Sequence, residues 1–190
     1  MKLTTLPVAA LLFCAGIAIG GGLALQDQDE RVDDSQPGPM HAEMAKRAGE
    51  YTAVTRFRPS PDAEPVLSRG SATIESVLGG RFLLENGKGE MLGQEYEVMR
   101  LWGFNGGSDM CESVWTYTMS TGMLVLTGKP DDSEGVDWTG TWTDAEGEHE
   151  MHVVMTFPDD DTHVLDMRGK DAGGDEFSMF VTTYTRKQEK

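Results

Sequence analysis

The chain has 190 residues, 38% of them hydrophobic, which is enough for one domain with a packed core in addition to a leader. Its 16 basic residues stand against 32 acidic ones, for a formal net charge of −16 at pH 7. Phosphate backbones and anionic lipid surfaces repel such a charge, so we expect no nucleic-acid partner, and the excess acidity favours solubility.

The first segment has the pattern of an export signal. A basic start at Met1-Lys2 is followed by an uncharged stretch from Leu3 to Leu25. The small residues Gly22 and Ala24 predict cleavage after Ala24, which would make residues 1–24 a signal peptide. An uncleaved membrane anchor stays open, because the 23 residues of the stretch, at roughly 1.5 Å each in a helix, are long enough to cross a bilayer. Any further contact with a membrane is not expected.

Cysteine usage indicates the compartment. Once the leader is removed, Cys111 is the only cysteine, so the mature chain cannot form an internal disulfide. Export without disulfides is typical of the bacterial envelope, and we expect the protein in the periplasm, in the cell envelope or secreted.

An acidic linker and a short helix precede the main domain. Residues 25–39 are polar and acidic and end in two prolines, which predicts a disordered linker. From His41 to Ala48, Met44 and Ala45 recur at helical spacing among charged residues, which predicts a short amphipathic helix that plugs one end of a barrel. Residues 40–188 are predicted to form a single domain.

From Glu50 to Lys187 apolar and polar residues alternate in runs of about eight to twelve, each broken by Gly, Asp or Pro. This pattern predicts an all-β fold, a single antiparallel barrel that is closed or nearly closed. About ten strands are predicted, at 50–58, 68–78, 80–88, 94–104, 110–119, 122–129, 136–143, 148–157, 162–169 and 176–186.

Turn residues support several of the predicted reversals, since Gly, Asn and Asp adopt positive φ or tight turns at little cost. The predicted turns are Gly79-Gly80, Asn86-Gly87 (with Gly87-Lys88-Gly89 as part of the same turn), Asn105-Gly106-Gly107, Pro130-Asp131-Asp132, Asp144-Ala145-Glu146-Gly147 and Gly173-Gly174.

An ordered set of short segments resembles a known family. The segments are Ala48-Gly49-Glu50-Tyr51, Leu78-Gly79-Gly80-Arg81-Phe82-Leu83, Gly87-Lys88-Gly89-Glu90-Met91-Leu92-Gly93-Gln94, Trp102-Gly103-Phe104-Asn105, Met119-Ser120-Thr121-Gly122 and Tyr184-Thr185-Arg186-Lys187. Together, over residues 42–188, they resemble the domain-of-unknown-function family 1579. The resemblance implies a calycin-type, lipocalin-like barrel in an exported bacterial protein, with no established catalytic residues. It also implies that Tyr51, which stands where lipocalins carry tryptophan, closes the barrel floor by packing.

Period-two sorting of each strand predicts the interior face. That face is rich in methionine and aromatic side chains, which suit an irregular apolar guest but also fill a solid core. Both interpretations stay open. The predicted ligand-binding lining is Arg100, Trp102, Trp115, Tyr117, Met119, Met151, Met155 and Met167.

Arg100 is the unusual member of this face. If it points inward it needs a partner, for which Glu85, Glu112 or a guest carboxylate would serve. The competing interpretation is that the register slips and Arg100 is solvated.

Catalytic and metal chemistry find little support in the sequence. His149 and His152 lie on opposite faces of one strand and cannot chelate together, whereas His163 on the next strand, near the acidic run 159–161, would be needed to complete a metal site. A haem would need His149 or His163 as its axial ligand. Surface histidines are the competing interpretation, and we predict no metal and no cofactor.

Cys111 is predicted to be a buried, inert thiol. We therefore predict that the protein is not an enzyme.

Two hypotheses follow for function. The first is an exported barrel that binds a small apolar or amphipathic ligand in its interior. The alternative is a non-catalytic structural or interaction module of the cell envelope, displayed on an uncleaved anchor with the acidic linker as spacer.

Overall fold

The computed structural model describes residues 35–131, 135–145 and 147–188. The predicted leader and most of the predicted linker lie outside these residues. No helix in the described part is long and apolar enough to span a bilayer. The elements are α1 (Pro39–Ala45), β1 (Gly49–Phe57), β2 (Val66–Val77), β3 (Phe82–Met91), β4 (Gln94–Asn105), β5 (Met110–Tyr117), β6 (Leu124–Asp131), β7 (Gly135–Asp144), β8 (Gly147–Thr156), β9 (Thr162–Lys170) and β10 (Glu176–Arg186).

The ten strands form one closed antiparallel barrel. Each strand pairs with its neighbours in the chain, and β1 pairs with β10 in the register Tyr51 opposite Arg186 to close the ring. Closure leaves no unpaired edge among the strands that the structure describes. The predicted all-β barrel with a short preceding helix is thereby confirmed.

One predicted turn is wrong, and a second is partly wrong. Asn86 and Gly87 lie inside β3, and the reversal to β4 is made by Leu92 and Gly93, whose φ values are 53° and 79°. Position 87 favours glycine because it lies opposite Val98 in the neighbouring strand. A Cβ atom at this position would stand 2.7 Å from Val98 Cγ1.

The second correction concerns the end of β6. Pro130 and Asp131 continue the strand and pair with Val136 and Gly135, so they are not part of the turn. Pro130 is tolerated there because a proline near a strand end loses at most one ladder hydrogen bond. At the end of β5 the difference is smaller: the strand stops at Tyr117, and Met119 follows it in a turn.

One half of the barrel interior is filled by large side chains. The fully buried members include Trp138, Tyr51, Ile74, Leu83, Met155, Leu165 and Val153. Helix α1 packs against β3 and β4 at this end and adds Met44 to the core. The predicted helical plug is therefore present, beginning and ending slightly earlier than expected.

Small residues occupy the inward face of β1, β2 and β3 farther from the helix. Ala53 is opposite Gly70, Gly70 is opposite Gly89, and Ala72 is opposite Gly87. Directly opposed residues of an antiparallel pair point to the same face. This wall therefore projects almost no side-chain volume into the barrel.

Candidate functional site

The less completely filled half of the barrel contains a cavity of about 620 Å³. This volume lies within the roughly 300–1,000 Å³ range of small-molecule sites. The cavity reaches solvent past Met119 and Met123, which connect β5 to β6 and are 50% and 63% exposed.

The wall of the cavity is predominantly apolar. Methionines come from several strands and connections, and aromatic rings and small residues make up much of the remainder. The lining includes Met91, Met119, Met123, Met151, Met167, Met179, Tyr96, Trp115, Tyr117, Trp142, Phe180, Ala53, Ala72, Gly87, Val98, Leu124 and Leu165. Because methionine is flexible and polarisable, such a wall adapts to guests of irregular shape.

Hydroxyl groups supply the buried polarity of the wall. Thr55 and Thr182, opposite each other on β1 and β10, hydrogen-bond through their Oγ1 atoms at 2.9 Å. Thr55 is only 5% exposed, and both threonines line the cavity. These groups donate or accept hydrogen bonds without bringing charge into the interior.

The eight side chains predicted as ligand-binding lining fall into two groups. Trp115, Tyr117, Met119, Met151 and Met167 line the cavity. Arg100, Trp102 and Met155 belong instead to the filled half, where they are at most 3% exposed. That any of them binds a ligand stays a prediction.

Arg100 points inward and is paired with Glu85. Its Nη2 lies 2.8 Å from Glu85 Oε2, the two residues are opposite each other on β4 and β3, and they are 3% and 1% exposed. The guanidinium also lies 3.8 Å from Met155 Sδ and 4.9 Å from the centre of the Trp102 ring. Glu112, the other predicted partner, faces solvent and accepts a hydrogen bond from Asn105. The interpretation of Arg100 as a solvated side chain is wrong.

Tyr184 separates this ion pair from the cavity. It lines the cavity and is 5% exposed. Burial, followed by the charge of Glu85, raises the pKa of Tyr184 well above its ordinary value. The phenol therefore stays protonated and neutral.

His163 packs against Tyr184 from β9. Its ring is stacked on that of Tyr184 at 4.2 Å and meets Tyr51 edge-on at 5.0 Å. Burial, reinforced by the charge of Arg100, lowers the pKa of His163 to about 3, so the imidazole is neutral at physiological pH. The residue is 2% exposed.

The three histidines considered for a metal or haem site lie in different environments. His149 contacts Asp144 at 2.8 Å, and His152 lies on the outer face between Asp137 at 2.7 Å and Glu176 at 3.0 Å. His163 is interior. Within the described ranges, no group of three His, Cys, Asp or Glu side chains is arranged to hold a metal ion.

Cys111 is 2% exposed, and burial raises the pKa of its thiol to about 11. A thiol with so high a pKa is almost entirely protonated and is a poor nucleophile. The prediction of a buried cysteine is confirmed.

Sequence reasoning missed the small residues that make the cavity. Ala53, Ala72 and Gly87 line it because they are short, whereas the search for a lining favoured large side chains. The available signal was a cluster of alanines and glycines at alternate positions of neighbouring predicted strands, which indicates missing volume on one face.

Comparisons with known proteins identify a family and a shared fold. The sequence model of a family described as "Protein of unknown function (DUF1579)" matches residues 36–186. The crystal structure of Rv2717c from M. tuberculosis superposes with a TM-score of 0.60 at 11% sequence identity, covering 80% of this chain and 100% of that chain. At this identity the likeness concerns the fold alone. No curated protein matches the chain.

Proposed function

We propose, on the premise that the chain belongs to the DUF1579 family of proteins of unknown function, that its barrel binds a small apolar or amphipathic molecule in the open half. The observation that carries the proposal is the cavity of about 620 Å³ with its apolar, methionine-rich wall. A molecule entering it exchanges water for thioether, aromatic and aliphatic contacts, which is favourable at roughly 25 cal/mol for each Å² of apolar surface buried.

The proposed function is binding without catalysis. Two buried groups are poorly suited to act as nucleophile or base: burial raises the pKa of the Cys111 thiol to about 11, and Glu85 is paired with Arg100. A site that holds a guest by shape and apolar contact needs none of them.

The first test is titration of the full chain with N-phenyl-1-naphthylamine, a neutral apolar probe whose fluorescence rises in an apolar environment. We expect saturable uptake of one probe per chain. Quenching or enhancement of tryptophan emission should follow the same curve, because Trp115 and Trp142 line the cavity.

A matched pair of variants on β1 separates cavity binding from surface adsorption. Ala53 faces the cavity with Gly70 opposite it, so Ala53→Phe fills space and should weaken probe binding about tenfold or more, equivalent to roughly 1.4 kcal/mol. Thr52→Phe adds the same ring on the exposed face of the same strand and should leave binding unchanged. Probe uptake that does not saturate, or that both variants affect alike, contradicts the proposal.

Export is part of the proposal and rests on the basic start and the uncharged stretch from Leu3 to Leu25. Intact-mass measurement of the protein recovered from its own cells tests it. A mass lacking residues 1–24 in a soluble envelope fraction supports an exported carrier. An unprocessed amino terminus in the membrane fraction supports instead the module displayed on an anchor.

A further inference from the structure

We infer that the cavity selects electrically neutral ligands over anionic ones, and that Glu85 is the residue that sets this preference by neutralising Arg100. The inference rests on the proposed function, because it concerns the chemical class of the molecule that the cavity would bind.

In the part of the chain that the structure describes, Arg100 is the one buried cation. Among the described residues that are buried, Arg100 is the only arginine or lysine, and the neutral His163 is the only other basic side chain. The charged residues in the cavity lining are Lys88, which is exposed, and Asp144. An acidic ligand that turned its head group toward the floor would therefore depend on Arg100.

Glu85 already satisfies the charge of Arg100. The strand register places the two residues opposite each other, and their 2.8 Å contact is excluded from water. The remaining neighbours of the guanidinium are neutral: the Met155 sulfur and the faces of Trp102 and Trp115. The pair therefore presents no net charge to the cavity.

Tyr184 and Trp115 form the layer between the ion pair and the cavity. Both line the cavity, and the Trp115 ring lies 5.7 Å from Arg100 Cζ. Because burial and the charge of Glu85 raise the pKa of Tyr184, its phenol stays neutral and adds no charge to this layer.

An anion turned toward the floor of this cavity would lose its hydration without gaining a counter-ion there, because Lys88 is exposed, and it would lie near the carboxylate of Glu85 as well as near Arg100. Burying an uncompensated charge is far more costly than burying a hydroxyl or ester, which needs one hydrogen bond. The Thr55 and Thr182 hydroxyls can supply that bond. A neutral amphipathic molecule, such as a fatty alcohol or ester, is the class that fits.

The decisive experiment displaces N-phenyl-1-naphthylamine from the wild-type chain with decanol, methyl decanoate and decanoate. At about pH 8, where the acid is ionised, we expect the alcohol and the ester to bind tenfold or more tightly than the acid. On lowering the pH to about 5, the apparent affinity of decanoate should rise as its carboxyl group becomes protonated, while that of decanol should not change. Equal binding of acid and alcohol at the higher pH overturns the inference.

Glu85→Gln tests the assigned residue. The substitution leaves Arg100 without its counter-ion, so decanoate should bind roughly tenfold more tightly than to wild type while decanol is unaffected. Glu112→Gln removes one negative charge from an exposed position on β5, the strand next to that of Arg100, and should change neither affinity. If Glu85→Gln improves decanoate binding no more than Glu112→Gln does, Glu85 is not the determinant.

The outcomes separate the inference from the proposal beneath it. Failure of every probe and ligand to bind wild type would remove the proposed function itself. Binding of neutral and anionic ligands with equal affinity would remove only the selectivity. Should Glu85→Gln fail to fold, the wild-type ligand series still decides whether neutral molecules are preferred.

Discussion

At the residue scale, the Glu85–Arg100 pair shows what a buried charge requires of its surroundings. The two residues are at most 3% exposed, so burying the charge of either one alone would be costly. The attraction between them offsets that cost. The sequence suggested Glu85, Glu112 or a guest carboxylate as the partner, and the register places Glu85 opposite Arg100 on the same face.

Removing one member of the pair should therefore destabilise the folded protein more than removing both. We expect Arg100→Met to lower the free energy of unfolding by about 3–5 kcal/mol, because Glu85 is left uncompensated. The double variant Glu85→Leu with Arg100→Met should lose much less than the sum of the two single variants. Urea denaturation of the four proteins measures the coupling, and additive losses would show that the pair does not act as a unit.

His163 predicts a dependence of stability on pH. Its folded pKa of about 3 lies below the ordinary value of 6.5, so between these values the unfolded chain binds a proton that the folded chain does not. Stability should thus fall as the pH is lowered through this window, by up to about 1.4 kcal/mol for each pH unit. Arg100, Arg47 and Arg186 strengthen the effect, since their charges oppose protonation.

The variant His163→Phe should remove this dependence while keeping the stacking on Tyr184. Denaturation is measured at several pH values between about 6.5 and 5, which lie above the range where most carboxyl groups titrate. The change of the free energy of unfolding with pH is then compared between the variant and wild type. His152→Phe on the outer face is the control. A slope that persists in His163→Phe would assign the effect to other groups.

At the element scale, the close approach of β6 and β7 depends on a glycine. A Cβ atom at Gly140 would lie 1.9 Å from the backbone oxygen of Val125, which is fixed in the facing strand. We expect Gly140→Ala to destabilise the barrel by about 1–3 kcal/mol through forced separation of the two strands. Gly106, in the β4–β5 turn, has no atom within 4 Å of the equivalent position, so Gly106→Ala should be nearly neutral in thermal denaturation. Equal losses in both variants would refute this explanation.

The strands were predictable because each has a polar outer face and an apolar inner face, which is a local pattern. The turns were less so. Asn86-Gly87 has the composition of a tight turn, yet Gly87 is selected by the Val98 side chain opposite it, a contact made across the ladder. Leu92, which adopts positive φ in the true turn, carries no such signal, because leucine is rarely found there.

At the scale of the whole molecule, the sequence could not decide between a filled and an open barrel. Both halves show the same alternation, and Met151 in the cavity wall and Met155 in the filled half are equivalent in pattern. The difference arises because the register of β1, β2 and β3 brings the short residues Ala53, Ala72 and Gly87 into one part of the wall, where they line the cavity. Interior volume is thus a property of alignment between strands, which no single strand reveals.

The net charge of −16 predicts that the fold is stabilised by salt. A compact chain concentrates like charges, and the ion pairs that oppose this repulsion are mostly exposed, as are Lys46–Glu43 and Lys170–Glu150, and contribute little. Raising KCl to about 0.5 M shortens the screening length to a few Å and should raise Tm by several degrees. Glu148→Gln, which removes one of the two acidic residues on the outer face of β8, should show a smaller rise in calorimetry. A fall in Tm with added KCl would mean that attractive pairs outweigh the net repulsion.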